Sequence, residues 1–431
     1  MVAQINKDSI RKTNWTNHFQ FTTVVQGHAG FKALYKGDNS LADTAEVGAT
    51  TVMATLFLSY KLWKSAAIFF NPELSSGSGL SSVLGVAGAL NGESYREGIR
   101  TPAIFVARGY LQQHIALGNT AYKNVEDDIN KLEDKIPINR ITISAGKFAM
   151  GDFFDNNKYS HDPRSQFLNW SLMGKGAWDY PANTRGYTSG LVVELIKPTW
   201  VRISSVAVPR LANAYKMEYK ISKAHSKTLE LERKSNINKR KGVVRFLVSN
   251  TLLKAPSYAD GLKAISNNNA FLLNVIAGKQ EGINYDGKKF GAGYSFEQEL
   301  TDEIAVFSRA GWNDGKHATW VFAEIDQSFS LGLSVKGNKW KRPDDVCGLA
   351  TLINGISTDH KDFLKAGGDG FIIGDGRLNY GHERVIETYY NAHLSKYFWV
   401  TVDYQFVKNP AYNKDRGPVH VFGMRGYIQL L

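Results

Sequence analysis

From Phe329 to Val335 every second residue is apolar: Phe329, Leu331, Leu333 and Val335 alternate with Ser330, Gly332 and Ser334, and Ser328 and Lys336 continue the polar phase. A period of two places successive side chains on opposite faces of a strand, so this run has one oily and one wet face. The pattern recurs along the chain. Trp15, Phe19, Phe21 and Val25 oppose Thr16, His18, Gln20 and Thr22, and Val52, Ala54, Leu56, Leu58, Tyr60 and Leu62 oppose Thr51, Thr55, Ser59 and Lys61. A soluble β-sandwich alternates in the same way. Length separates the two: many runs last about ten to thirteen residues, as a tilted membrane-crossing strand does, against the five or six usual in globular sheets.

The connections agree. Lys61–Ser65, Lys197–Thr199, Leu300–Ile304 and Ser395–Tyr397 are tight, whereas 27–48, 75–101, 149–184, 254–286 and 357–383 are long. Short turns on one side and long loops on the other mark an outer-membrane barrel. Strands are expected near 14–26, 49–62, 65–73, 102–113, 139–148, 185–197, 199–208, 215–231, 242–252, 287–300, 304–313, 326–336, 345–355, 384–395, 397–407 and 419–430. The fold class is therefore all-β, a 16-stranded antiparallel transmembrane barrel formed by residues 14–431 after an N-terminal segment, 1–13, with constriction loops near 74–101 and 149–184. The stretch 215–231 counts as one strand, because splitting it would give seventeen and break the even number of bacterial barrels. Val125, Ile129 and Leu132 fall at helical spacing, so 119–138 predicts a short amphipathic helix, and helical turns are expected at 257–265 and 360–366.

Composition narrows the alternatives. A mean hydropathy of -0.29 and the lack of an eighteen-residue apolar run exclude a transmembrane helix but not a barrel, whose alternating strands average out as polar. The single Cys347 leaves no disulfide framework and no zinc cluster; no metal or cofactor is expected. The first twenty residues have no apolar core of a signal peptide. The net charge of +12 is spread along the chain, with one local cluster at Lys239-Arg240-Lys241, which argues against nucleic acid as a partner. No nucleophile-elbow motif is present and no pair of acids stands out, so the chain is not expected to be an enzyme.

The segment Gly146 to Tyr187 interleaves Phe148, Phe153, Phe154, Tyr159, Phe167, Trp170, Trp178 and Tyr180 with Asp, Asn, Arg and Gly. Aromatic faces beside paired polar groups suit a polyhydroxylated ligand; the same composition also describes a loop whose aromatics fill a core. On the strand phases Arg108, Arg202, Arg245, Arg309 and Arg425 point inward, as do Glu194, Glu297, Glu387 and Asp403, so arginine–carboxylate pairs along the wall are expected.

Several long stretches in order carry a more specific resemblance. FFNPELSSGSGLSS at 69–82, NGESYR at 91–96, ITISAGKFAMGDFFDNNKYSHDPRSQFLNWSLM at 141–173, GAWDYPANTRGYT at 176–188, FEQELT at 296–301, RAGWNDGK at 309–316, GDGRLNY at 374–380 and DYQFVKNPAYNKDRGPVHVFG at 403–423 resemble the carbohydrate-selective porins of the OprB family. The resemblance runs from about Trp15 to the end. It implies a channel of the Gram-negative outer membrane that admits monosaccharides such as glucose by diffusion, past inward-folded loops. It also implies contact with outer-membrane lipid and lipopolysaccharide and insertion by the barrel-assembly machinery, as a monomer or homotrimer. The alternatives are a general or anion-preferring porin and a soluble β-rich glycan-binding protein. The chain ends Ile428-Gln429-Leu430-Leu431 where such barrels usually end on an aromatic, with Leu430 in that place. Candidate sugar-binding residues are Glu93, Arg96, Arg108, Asp152, Asp155, Arg164, Trp170, Trp178, Asp179, Arg185, Arg202 and Arg309.

Overall fold

A computed structural model describes residues 14–96 and 99–430; the expected N-terminal segment 1–13 lies outside them. Sixteen strands form a closed barrel. They are β1 Trp15–His28, β2 Glu46–Trp63, β3 Ala66–Gly77, β4 Ile99–Ala116, β5 Arg140–Phe148, β6 Thr188–Ile196, β7 Thr199–Val206, β8 His225–Ile237, β9 Arg240–Leu253, β10 Gly287–Glu299, β11 Ile304–Asn313, β12 Gln327–Gly337, β13 Arg342–Gly355, β14 Glu383–Ser395, β15 Phe398–Lys408 and β16 Val419–Leu430. Each pairs antiparallel with its neighbour in sequence, and β1 closes the ring against β16 from Phe19↔Leu430 to His28↔Val421. Among the described residues the barrel itself has no open sheet edge.

The alternation sets what each face meets. Leu331, Val402, Phe422 and Met424 point out and are exposed, while Ser330, Arg309, Asp403 and Arg425 point in and are buried. An apolar exterior around a polar interior inverts a soluble protein and matches a membrane barrel. The basic cluster Lys239-Arg240-Lys241 lies at the β8–β9 turn, where Asn238 and Lys239 both take positive φ, 49° and 65°. Two central residues of that kind reverse a hairpin in step with the twist of its strands.

Two expectations need correction. The stretch 215–231 is not one strand: Met217–Glu218 pairs with Val208–Pro209 outside the barrel, the chain turns, and the wall strand begins at His225. The interruption by Lys223, His225 and Lys227 marks the end of a loop; from Ser226 onward Ser226, Thr228, Glu230 and Glu232 face in. The count of sixteen is unaffected. The second correction is 119–138, which is a β-hairpin of Tyr122–Val125 against Asp134–Pro137. Asn130 takes φ 51°, and Asp128 and Lys131 exchange backbone hydrogen bonds of 3.3 and 2.9 Å across the reversal. A short isolated helix is marginal, and this tight reversal replaces it.

The two expected helical turns are present at Tyr258–Ser266 and Thr358–Lys365, capped by Ser257 and Ser357. They pack with Trp320, Phe371 and Ile373 into an apolar lobe on the long-loop side. At its edge burial, then Asp38, push the Asp369 carboxyl up to about 6. Its folded pKa lies above the ordinary carboxylate value, so its share of lobe stability is complete below the ordinary value and is lost as pH rises through about 6. Protection of the amides around Gly367–Asp375, corrected for the base-catalysed rise of the intrinsic exchange rate, is therefore expected to fall between pH 4 and 7, and Asp369→Asn to flatten that fall; an identical corrected profile in the variant would contradict this.

Candidate functional site

The loop between β5 and β6, residues 149–187, folds into the barrel, and apolar contacts and wall charges fix it. Met150, Phe153, Phe154 and Trp178 pack on Phe69, Tyr110, Val192, Val206 and Leu247 of the wall. Glu230 accepts from Asp155 N at 2.8 Å, Glu297 from Lys158 N at 2.7 Å and Glu387 from Asn169 N at 3.0 Å. Arg425 donates to the carbonyls of Pro163 at 2.6 Å and Gln166 at 2.8 Å. The inward charges read from the strand phases thus largely grip the loop backbone. They satisfy polar groups that would otherwise be buried unpaired.

Asp155 and Arg309 belong to this scaffold. Arg309 Nε donates to Asp155 Oδ1 at 3.1 Å and its Nη1 to Leu172 O at 2.9 Å, and Lys175 Nζ lies 2.7 Å from Asp155 Oδ1. Burial opposes ionisation of Asp155, but Arg309 and Lys175 hold its carboxyl well below the usual range. Asp179 is likewise bound, accepting from Trp320 N at 2.7 Å and Val321 N at 2.9 Å, and burial pushes its carboxyl up despite Lys289. Neither Asp179 nor Arg309 lines the central cavity; the other ten candidates do.

That cavity has a volume of about 950 Å³ and runs from the long-loop side towards the short turns. Its charged wall centres on Arg164, which donates to Glu93 Oε1 at 2.7 Å, Gln20 Oε1 at 2.6 Å, Thr55 Oγ1 at 3.0 Å and Glu73 Oε2 at 3.3 Å. Tyr187 donates to the other Glu73 oxygen at 2.9 Å. Burial raises the Glu93 carboxyl and Arg164 only partly opposes it; burial lowers the Arg164 guanidinium, but Glu93 and Glu73 more than reverse that. Nearby, Arg108 holds Asp152 through two bonds of 2.7 Å. On the lower wall Arg202 binds Glu194 at 2.9 Å and Glu230 at 3.0 Å.

Arg185 differs from these: among the described residues it makes no ion pair, and its guanidinium lies over Phe105 at 3.8 Å and Tyr215 at 4.7 Å. Arg96 reaches Ala277 O at 3.4 Å over the Phe371 ring. Trp170 stacks on Tyr180 at 5.7 Å and 17°, and Trp178 leans on Tyr180 and Phe154, so both indoles are largely buried in the loop. Among the described residues no three His, Cys, Asp or Glu side chains gather as a metal site. Glu73, Tyr187 and Gln20 escaped sequence reasoning. Gln20 and Glu73 stand on inward strand phases, and Tyr187 closes the aromatic loop; those were the signals available.

The family model for the carbohydrate-selective porins, OprB family, matches residues 60–430. Pseudomonas putida OprB at high pH is 16% identical with a TM-score of 0.70, over 97% of this chain and 94% of that one. Its low-pH structure gives 14% and 0.51, over 97% and 93%. The outer membrane channel DcaP of Acinetobacter baumannii gives 9% and 0.51, over 96% and 97%. These identities speak to the fold alone. No curated protein matches the sequence. With the family match spanning most of the chain, this protein belongs to the OprB family of carbohydrate-selective porins.

Proposed function

We propose that this channel passes small neutral sugars, monosaccharides such as glucose, by passive diffusion across the outer membrane of a Gram-negative bacterium. The observation that carries this reading is charge compensation at the cavity wall: Arg164 faces Glu93 and Glu73, and Arg108 faces Asp152. Such a wall offers donors and acceptors without a large net field, which suits a solute with many hydroxyls and no charge. A sugar leaving water must have its hydrogen bonds replaced, and several weak contacts do this while still allowing exit. The apolar exterior supports contact with outer-membrane lipid and lipopolysaccharide, and a closed barrel of this kind is expected to be inserted by the barrel-assembly machinery. Monomer and homotrimer both fit this reading.

Arg185 favours a second reading, an anion preference, because its charge is not matched by a carboxylate among the described residues. Liposome swelling decides between them. Glucose is expected to enter faster than gluconate or glucosamine; gluconate entering fastest would favour the anion channel. Under the sugar reading, Arg185→Ala should weaken sugar block of the pore roughly three- to tenfold, about 1 kcal/mol, and lower any anion preference. Unchanged block would make Arg185 a loop anchor only.

A further inference from the structure

One connection on the short-turn side is long, and it does not hang free. Its hairpin, Tyr122–Val125 with Asp134–Pro137, folds back across the mouth of the barrel. Asp127 accepts from Thr16 Oγ1 at 2.8 Å and lies 3.1 Å from His18 Nε2, both on β1. Asn130 accepts from Asn71 of β3 at 2.9 Å, and Lys61 holds Asp134 at 2.5 Å. Asn71 and His18 are inward, buried residues, so the hairpin tip stands inside the lumen. Leu132 and Ile136 of the hairpin itself are buried.

Between the hairpin and the wall is a second cavity of about 270 Å³. Gln112, Asn130, Lys131, Glu194 and Trp200 line both this pocket and the central cavity; they form the neck between the two. Two amides, an ammonium, a carboxylate and an indole supply donors, acceptors and an apolar edge within one small volume. Gln112 spends its amide nitrogen on Ser144 at 3.1 Å, and Asn130 spends its oxygen on Asn71. The Gln112 carbonyl and the Asn130 amide nitrogen have no protein partner among the described residues. The Lys131–Asp128 pair, 2.6 Å and half exposed, is weak enough to exchange for a solute hydroxyl.

We infer that this neck is a second monosaccharide-binding station, at the short-turn end of the channel and separate from the wall around Arg164. The inference rests on the sugar-channel reading above and adds a place where a neutral hexose is held as it passes the hairpin. A solute arriving from the short-turn side meets this station first, and one arriving from the loop side meets it last.

The test is current-noise analysis of oriented single pores in planar bilayers, with glucose added to one side at a time. The variant Asn130→Gly/Lys131→Ala removes both tip side chains while glycine keeps the positive φ that Asn130 adopts. Barrel folding is checked by heat-modifiable mobility, and Gln112→Ala, which leaves the hairpin anchors untouched, serves as a second variant. The expected result is a change of at least about threefold in the glucose association or dissociation rate from the short-turn side for both variants. The loop-side association rate should stay within about a factor of two. Wild-type rates from the short-turn side in both variants would overturn the station while leaving the sugar channel standing. A wild-type pore that glucose does not block from either side would overturn the sugar-channel reading and the station together.

Discussion

Arg164→Ala is expected to loosen the inward loop and widen the pore. The side chain ties loop 149–187 to β1, β2, β3 and the loop carrying Glu93 through four polar partners. Its removal leaves Glu73 and Glu93, both nearly inaccessible, facing each other without their cation. Breaking a buried ion pair from one side costs roughly 3 to 5 kcal/mol, and the inexpensive escape is for the loop tip to leave and let water in. Single-channel conductance should rise, and sugar block should weaken by more than in Arg185→Ala. The pH dependence has a definite sign. Burial already holds the Glu93 carboxyl above its ordinary range, with Arg164 opposing; without the arginine it protonates more readily still, and a neutral acid needs no cation. The conductance difference between variant and wild type should therefore shrink as pH falls. Arg164→Lys, a point charge lacking the planar fork, should lie between the two. A variant with wild-type conductance at neutral pH would show that the loop is held without this network.

Leu331→Arg is expected to impair barrel assembly. Leu331 stands on the outer face of β12, 49% exposed, between Ser308 of β11 and Thr351 of β13. A charge on the lipid face near the bilayer midplane costs roughly 2 to 4 kcal/mol. Leu331→Phe keeps the face apolar and should fold as the parent does. The check is folding yield in lipid vesicles across a urea series; equal yields for the two variants would mean that this face does not meet lipid.

These two positions show what could be read from the residues and what could not. The phase of Leu331 follows from local alternation alone, because a period of two admits only two faces and the apolar one must leave the polar lumen. The same rule placed Arg108, Arg202, Arg245, Arg309 and Arg425 inward. It could not say that Arg309 and Arg425 would grip loop carbonyls while Arg108 and Arg164 remain on the cavity wall, since those partners are fixed by how a loop of nearly forty residues docks. The Arg164–Glu73 contact joins residues 91 positions apart, with no local signal for the pairing. Trp170 and Trp178 were legible as aromatic but not as stacked upon Tyr180. The hairpin at 122–137 was misread because Val125, Ile129 and Leu132 fall at helical spacing by coincidence, and Asn130 outweighs them by accepting a positive φ.

If the compensated polar wall around Arg164 and Arg108 binds and passes neutral monosaccharide, glucose must interrupt the current through the pore. Single-channel conductance of the wild-type pore, titrated with glucose and with gluconate as the charged comparison, reads that interruption. Saturable block by glucose in the millimolar range and weaker block by gluconate are expected; a current indifferent to glucose, or blocked more strongly by gluconate, would mean that this wall does not select neutral sugar.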